Sequence, residues 1–123
     1  MSRVVGIRGA TTVDENTKES ILEATTDLLT QIIEANGIEI EDVAACYFTT
    51  TVDLNADFPA HAARAGMGWN DVALLCGHEM QVPGGLGMCL RVLLIVNSEK
   101  RPSEVVNVYA KGAVHLRNQS TGP

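Results

Sequence analysis

The sequence predicts an α+β fold in which a mixed sheet of five to six strands packs on one long helix. Short runs rich in branched aliphatic residues alternate with breaks along the chain, which is typical of buried strands. One segment, residues 17–36, instead carries apolar residues at helical spacing. The 123 residues, 46% of them hydrophobic, are enough for one domain, and the scarcity of aromatic side chains makes its core aliphatic.

The first half of the sequence predicts one strand and the long helix. Residues 3–8 are strand-like. Asn16 then acts as a helix N-cap with Glu19 three residues later, which is a capping box, and Gly37 supplies the left-handed residue that often follows a helix. The helix over about 17–36 therefore presents an apolar face to the sheet and an acidic face to solvent.

The rest of the chain predicts a short helix, several strands and a tail. Proline at the first helical position, followed by alanines, favours the short helix. The segment 118–123 lacks packing residues, so we expect a flexible tail after a single domain over 1–117. The predicted elements are a strand over 43–51, the short helix over about 59–66, strands over 72–76 and 89–96, and a hairpin of strands 105–109 and 113–116.

A single helix covers only one face of this sheet, yet the strands are apolar on both faces. The simplest cover for the second face is another copy of the chain. We therefore expect a homo-oligomer, and a monomeric mass by light scattering at micromolar protein concentration would contradict that expectation.

The charge balance argues against several classes of partner. A net charge of −6 disfavours nucleic acid and anionic membranes, and no apolar run approaches the ~20 residues of a membrane span. The three cysteines are far apart in apolar contexts, which indicates reduced thiols. The N-terminus carries no signal-peptide pattern. We expect a cytoplasmic protein with neither a membrane nor a nucleic-acid partner.

Two arginines at strand positions indicate a pocket for a small anion. Arg91 lies inside the apolar run 89–96, and Arg8 ends the first strand. A guanidinium is always charged and is costly to bury without an anionic partner. Internal salt bridges are the alternative, with Glu79, Asp53 or Asp57 as partners. The pair of arginines favours the anion pocket.

Three other sequence patterns are only weak indications of a functional site. Cys76-Gly77-His78-Glu79 is a single cluster whose alternate side chains face opposite ways on a strand, so we expect no metal site. Nothing orients His78 toward Cys76, which favours a buried structural thiol over a nucleophile. The glycines at 84, 85 and 87 match no nucleotide-binding loop, since Leu90 stands where a dinucleotide motif needs glycine. We expect no cofactor.

The sequence resembles the AroH-type monofunctional chorismate mutases from about residue 3 to 117. Each matching motif is short, but their order and spacing make the set specific. The motifs are Gly6-Ile7-Arg8-Gly9-Ala10-Thr11-Thr12, the stretch from Asp53-Leu54 through Phe58-Pro59-Ala60 to Arg64, Cys76-x-x-Glu79-Met80-x-Val82-x-Gly84-Gly85-Leu86, Cys89-Leu90-Arg91-Val92, Val108-Tyr109 and Val114-His115-Leu116-Arg117.

The resemblance implies a homotrimer, a pseudo-barrel of mixed sheets, with active sites between neighbouring subunits. It implies the Claisen rearrangement of chorismate to prephenate, in phenylalanine and tyrosine biosynthesis, without a cofactor. Arg91, Glu79 and Arg8 would be catalytic. The implied substrate-binding residues are Tyr109, Cys76, Phe58, Ala60, Arg64, Ala73, Leu116 and Arg117.

Two positions depart from this family's pattern, and one rival function stays open. His61 stands where lysine occurs in at least one member, and Ala73 where a larger aliphatic residue can occur. The rival is a regulatory module that binds a small carboxylate without turning it over. Such a module needs the arginines but has no specific need for Glu79.

Overall fold

A computed structural model describes residues 3–116, which form one five-stranded mixed sheet with a long helix on one face. This confirms the predicted fold class. The tail 118–123 and Arg117 lie outside the described residues. The elements are β1 (Arg3–Thr12), α1 (Lys18–Asn36), β2 (Val43–Thr50), a short helix with a π-type turn (Ala62–Gly66), β3 (Ala73–His78), β4 (Cys89–Ser98) and β5 (Val108–Tyr109).

The strands lie in the order β3-β2-β4-β1-β5, so β4 is central. It pairs antiparallel with β1 along the full length of both strands, from Cys89 opposite Thr12 to Ser98 opposite Arg3. Its other neighbour, β2, is also antiparallel to it. The two edge strands are parallel to their neighbours, β3 to β2 and β5 to β1. This long pairing explains why β1 extends four residues beyond the predicted end at residue 8.

The core lies between α1 and one face of the sheet. Because side chains alternate along a strand, Leu90, Val92 and Leu94 of β4 point toward the helix and are at most 4% exposed. The apolar face of α1 meets them with Ile21, Leu28, Leu29 and Ile32. The helix packs tightly against β1 at Gly9, where an added Cβ would lie 2.6 Å from Ile32 Cδ1. Glycine at this position therefore sets the helix-to-sheet distance.

The helix begins one residue later than predicted. Thr17 is the N-cap, and its hydroxyl accepts a hydrogen bond from the Ser20 backbone at 3.1 Å. Asn16 instead accepts hydrogen bonds from the backbone N–H groups of Asn55 and Ala56, each at 3.0 Å. An amide side chain both donates and accepts, so Asn16 joins the helix entrance to the loop after β2. The predicted end at Gly37 is confirmed, with φ of 61°.

The predicted hairpin over 105–109 and 113–116 is wrong. The first strand shrinks to β5, two residues parallel to β1, and the second is replaced by a 3₁₀ turn over Lys111–Ala113. The chain reverses because Lys111 has φ of 51° and the Gly112 N–H donates to the Thr12 hydroxyl. Ahead of β5, the Asn107 side chain accepts from the Arg8 backbone N–H at 2.8 Å and so replaces strand pairing there.

The sheet face opposite α1 carries large apolar side chains that stay accessible. Val4, Tyr47 and Leu75 are 64%, 45% and 61% exposed on this open face. Along the described part of the chain, no helix is both long and apolar enough to cross a membrane.

Candidate active site

A cavity of about 280 Å³ lies on the open face, where four strands contribute side chains. Arg91 on β4 is in register with Ala10 on β1 and with Thr49 on β2, and Tyr109 on β5 is in register with Ala10. Residues in register project from the same face of a sheet. The cavity therefore gathers Arg8, Ala10, Thr49, Glu79, Arg91, Tyr109 and Leu116 from distant parts of the sequence.

The Arg91 guanidinium is nearly buried and only partly satisfied. Its side chain is 18% exposed, and its Nε lies 3.5 Å from Glu79 Oε2. That Nε is buried without a hydrogen-bond partner among the described residues. Because an unpaired buried donor is costly, this atom is poised to donate to a ligand. The ion pair with Glu79, which the sequence offered as the alternative to an anion pocket, is present, and the Arg91 Nε still has no hydrogen-bond partner within residues 3–116.

The Glu79 carboxylate is oriented from both sides. Thr49 donates its hydroxyl to Oε2 at 3.3 Å, and the Met80 backbone N–H donates to Oε1 at 3.1 Å. The backbone N–H of Glu79 itself donates to the Thr50 carbonyl at 2.8 Å, which extends the β2–β3 pairing past the end of β3. Glu79 is thus a fixed negative charge beside Arg91, with its side chain 28% exposed.

Tyr109 and Arg8 complete the polar lining of the cavity. The Tyr109 hydroxyl is buried and lacks a hydrogen-bond partner within residues 3–116. A buried tyrosine hydroxyl usually finds a partner, so this one is available to a ligand. Arg8 adds a second guanidinium from the neighbouring strand. Two cations, one carboxylate and one phenol therefore surround a space for a small dianion.

The remaining predicted site residues lie elsewhere in this chain. Phe58, Ala60 and Arg64 belong to the loop and short helix after β2, and Ala73 begins β3. None of these four residues is among those that line the cavity containing Tyr109. Phe58 is 64% exposed. The cavity thus brings together about half of the predicted set.

Cys76 lies on β3, outside the cavity that contains Arg91 and Tyr109. Burial raises the pKa of its thiol, against the smaller opposing effects of the Ala60 backbone N–H and of Arg64. Burial likewise raises the pKa of Cys89. His78 is hydrogen-bonded to Thr50, with Nδ1 3.1 Å from the hydroxyl. Within residues 3–116, no three His, Cys, Asp or Glu side chains converge as metal ligands.

The sequence analysis missed three residues that shape the site. Thr49 orients Glu79, Ala10 forms the floor between Arg91 and Tyr109, and Asn107 holds the start of β5. Thr49 and Ala10 could have been found by aligning alternate positions of the strands that flank β4. Asn107 left no such signal, because its role depends on a side-chain contact with a distant strand.

Comparisons with known proteins agree with this geometry. The family model "Chorismate mutase type I" matches residues 4–120. The chorismate mutase AroH of Bacillus subtilis (strain 168) is 45% identical over 112 residues, which cover 91% of this chain and 88% of that protein. The AroH of Thermus thermophilus is 48% identical over 115 residues, or 93% of each chain.

A solved structure extends the agreement to three dimensions. The chorismate mutase from Clostridium thermocellum superposes with a TM-score of 0.85 at 47% sequence identity, over 88% of this chain and 96% of that one. Identity of this extent, along nearly the whole chain, shows shared ancestry as well as shared fold. The chain therefore belongs to the type I chorismate mutase family.

Proposed function

We propose that this protein rearranges chorismate to prephenate, in the cytoplasmic synthesis of phenylalanine and tyrosine. The observation that carries the proposal is the pair of buried, unpartnered donors, Arg91 Nε and the Tyr109 hydroxyl, in one cavity with Arg8 and Glu79. Chorismate carries two carboxylates, a ring hydroxyl and an ether oxygen. The cavity offers two arginine cations for the carboxylates of chorismate, and the Glu79 carboxylate for its ring hydroxyl.

The reaction needs no group from outside the substrate. The ether C–O bond breaks and a C–C bond forms within one molecule, so no proton or electron leaves it. Cleavage runs ahead of bond formation, and negative charge grows on the ether oxygen. A donor that meets this charge acts mainly in the transition state and raises the rate of the chemical step. Arg91 is the residue for this role, because its Nε is buried and unpaired.

The other polar residues bind and fold the substrate. Arg8 and Tyr109, which lie on adjacent strands, hold the side-chain carboxylate. Glu79 accepts from the ring hydroxyl and faces the electron-poor ring, since Thr49 and Met80 already fix its carboxylate. Leu116, 6% exposed, adds an apolar wall that favours the compact conformer.

We further propose that the active form is a homotrimer whose subunits share each site. The open face exposes Val4, Tyr47 and Leu75, and apolar surface of this kind indicates a protein interface. A neighbouring subunit would bring Phe58 and Arg64 from its β3 edge to the cavity. Ala60, Ala73 and the Cys76 backbone would come to the site with them, and Arg117 would add positive charge.

The direct test is to mix the purified protein with chorismate and follow the loss of ultraviolet absorbance, without metal or cofactor. Prephenate as the product supports the proposal. Tight binding without turnover would instead indicate a carboxylate-binding module. Glu79→Gln separates the two further, because it should spare binding and abolish most turnover only in an enzyme.

The shared site is tested by subunit mixing. Arg91→Ala damages one half of the site and Arg64→Glu, which reverses a charge, damages the other. If the two halves come from different subunits, each mixed trimer contains one site with both halves intact. Refolding the two variants together should therefore restore activity that neither has alone. Equal activities of the mixture and the separate variants would contradict the shared site.

A further inference from the structure

We propose that Asp53 is a positioning residue for Arg91: it holds Met88 in a left-handed backbone conformation and thereby fixes the start of β4. This inference rests on the proposed function, since it concerns how Arg91 reaches its place. Asp53 lies in the turn after β2, and the sequence offered it only as a candidate ion-pair partner for the arginines.

Met88 adopts a conformation that non-glycine residues rarely tolerate. Its φ is 48°, at the last residue before β4 begins. A left-handed residue with a side chain costs roughly 1–2 kcal/mol, so the surrounding contacts must hold it in place. The Asp53 carboxylate and the Val13 backbone make those contacts, and the Val13 N–H donates to the Met88 carbonyl at 2.8 Å.

The Asp53 carboxylate binds the Met88 backbone with both oxygens. The Met88 N–H lies 3.2 Å from Oδ1 and 3.0 Å from Oδ2. The space beside this carboxylate is tight, because a Cβ on Gly87 would lie 3.0 Å from Oδ2. The hydrogen bond from the Thr51 hydroxyl is the largest effect on the pKa of Asp53 and, with the Met88 N–H, holds that pKa below its usual range against the opposing effect of desolvation. The carboxylate is therefore charged at neutral pH.

Thr51 ties the same turn to the first residue of β4. Its hydroxyl donates to Asp53 Oδ1 at 2.5 Å and accepts from the Cys89 N–H at 3.0 Å. Its backbone N–H donates to the Cys89 carbonyl, also at 3.0 Å. Cys89 precedes Arg91 by two residues on the same strand. Relaxation of Met88 would therefore shift the backbone that carries Arg91.

Arg91 is sensitive to such a shift because its position is useful only within narrow limits. Its Nε faces Glu79 Oε2 at 3.5 Å and must also reach a reacting oxygen. Preorganised donors lose much of their effect when they are displaced by about an ångström. Within residues 3–116, Asp53 makes no hydrogen bond to Arg91 or to Glu79. Its effect on Arg91 therefore passes through the backbone of Met88 and Cys89.

The test is a rescue experiment on the full-length protein, with chorismate as the probe. Asp53→Ala should lower kcat about tenfold, the ratio that corresponds to about 1.4 kcal/mol, with a smaller change in KM. Adding Met88→Gly should restore most of the loss, because glycine adopts a positive φ freely. Met88→Ala is the matched control: it removes the same side chain but keeps the backbone penalty, so it should not rescue.

A merely structural role for Asp53 predicts a different readout: Asp53→Ala would lower the urea unfolding midpoint, while kcat per folded subunit would stay at the wild-type value. Met88→Gly relieves the backbone strain at residue 88 and would raise that midpoint in either case, so the rescue is scored on kcat per folded subunit. The inference would be overturned if Asp53→Ala has the kcat of the wild type. It would also be overturned if the double variant Asp53→Ala/Met88→Gly is no faster than Asp53→Ala alone. If Asp53→Ala does not fold, Asp53→Asn with and without Met88→Gly gives the same comparison, because the amide keeps one acceptor.

Two further measurements keep the inference separate from the proposed function. Asp71→Ala removes an exposed acidic charge ahead of β3 and should leave kcat unchanged, which controls for net charge. The wild type must first convert chorismate. If it does not, the proposed function fails. The rescue is then measured as the affinity for a substrate-like dicarboxylate. That affinity must fall in Asp53→Ala and recover when Met88→Gly is added.

Discussion

Replacing Arg91 with alanine should separate activity from stability. The activity should fall by ~10²–10³-fold or more, the scale for removing one preorganised donor from a transition state. The reason lies in the geometry of the site: Arg91 Nε is buried, has no hydrogen-bond partner within residues 3–116 and lies 3.5 Å from Glu79 Oε2 in an ion pair. No other described donor on β4 can take its place, because the flanking side chains of Leu90 and Val92 point into the core.

The stability should change little, or rise. An unpaired buried donor costs about 1–3 kcal/mol, and alanine removes that cost. The change also removes the pair with Glu79, which is partly exposed and worth at most about 1 kcal/mol. Glu79 keeps its hydrogen bonds from Thr49 and Met80. The two effects have opposite signs and similar sizes, so the unfolding midpoint in urea should match or exceed that of the wild type.

The assay is initial-rate kinetics with chorismate beside urea unfolding of the same preparations. Arg91→Lys should recover little activity, since a single ammonium cannot imitate the planar fork of the guanidinium. Arg3→Ala, which removes an exposed positive charge at the start of β1, is the matched control and should be fully active. Near-normal kcat in Arg91→Ala, together with a large loss of stability, would refute the reasoning and make Arg91 a structural residue.

Four other changes test the fold and the site. Gly9→Ala should cost about 1–3 kcal/mol in urea unfolding through overpacking, whereas Gly6→Ala, whose nearest contact would be 3.5 Å away, should cost much less; equal losses would contradict this. Asn36→Ala should cost about 1–3 kcal/mol by thermal unfolding, since it leaves two backbone groups of the loop before β5 unpaired; an unchanged midpoint would oppose that role. Cys76→Ser should keep activity within about threefold, and thiol labelling should be slow because burial raises the Cys76 pKa; inactivation would point to thiol chemistry. The folded-state pKa of Asp53 is lowered, so its stabilising effect over Asp53→Asn is present at neutral pH, starts to fall near the unfolded-state pKa of about 3.9 and vanishes only below the lowered folded-state pKa; a pH-independent difference would refute this.

The site residues that could be predicted from the sequence are the charged ones that lie in apolar segments. Arg91 stood out because a charge inside an apolar run needs an explanation, and the same logic identified Arg8. The helix and the central strands were predictable because their hydrophobic periodicity is long and regular. Gly37 could be assigned because a left-handed residue at a helix end favours glycine.

The errors arose where side chains replace backbone pairing. Asn16 has the composition of an N-cap, but its amide serves another loop and Thr17 takes the cap. The alternation over 105–109 is typical of a strand, yet only two residues pair, because Asn107 and the Lys111 turn redirect the chain. Such contacts depend on which distant segment lies alongside, and that information is absent from local patterns.

The central position of β4 couples the chemistry of this protein to its hydrophobic interior. Leu90 and Val92 face the core while Arg91, between them, faces the cavity. Deleting a single residue in this strand would exchange the two faces, burying the guanidinium among aliphatic side chains and exposing the leucines. Many enzymes acquire new reactions by exchanging loops on an unchanged scaffold. In this fold loop exchange leaves Arg91 in place, because it lies on the central strand, so a new substrate would still have to present an anion or a developing negative charge to the same guanidinium.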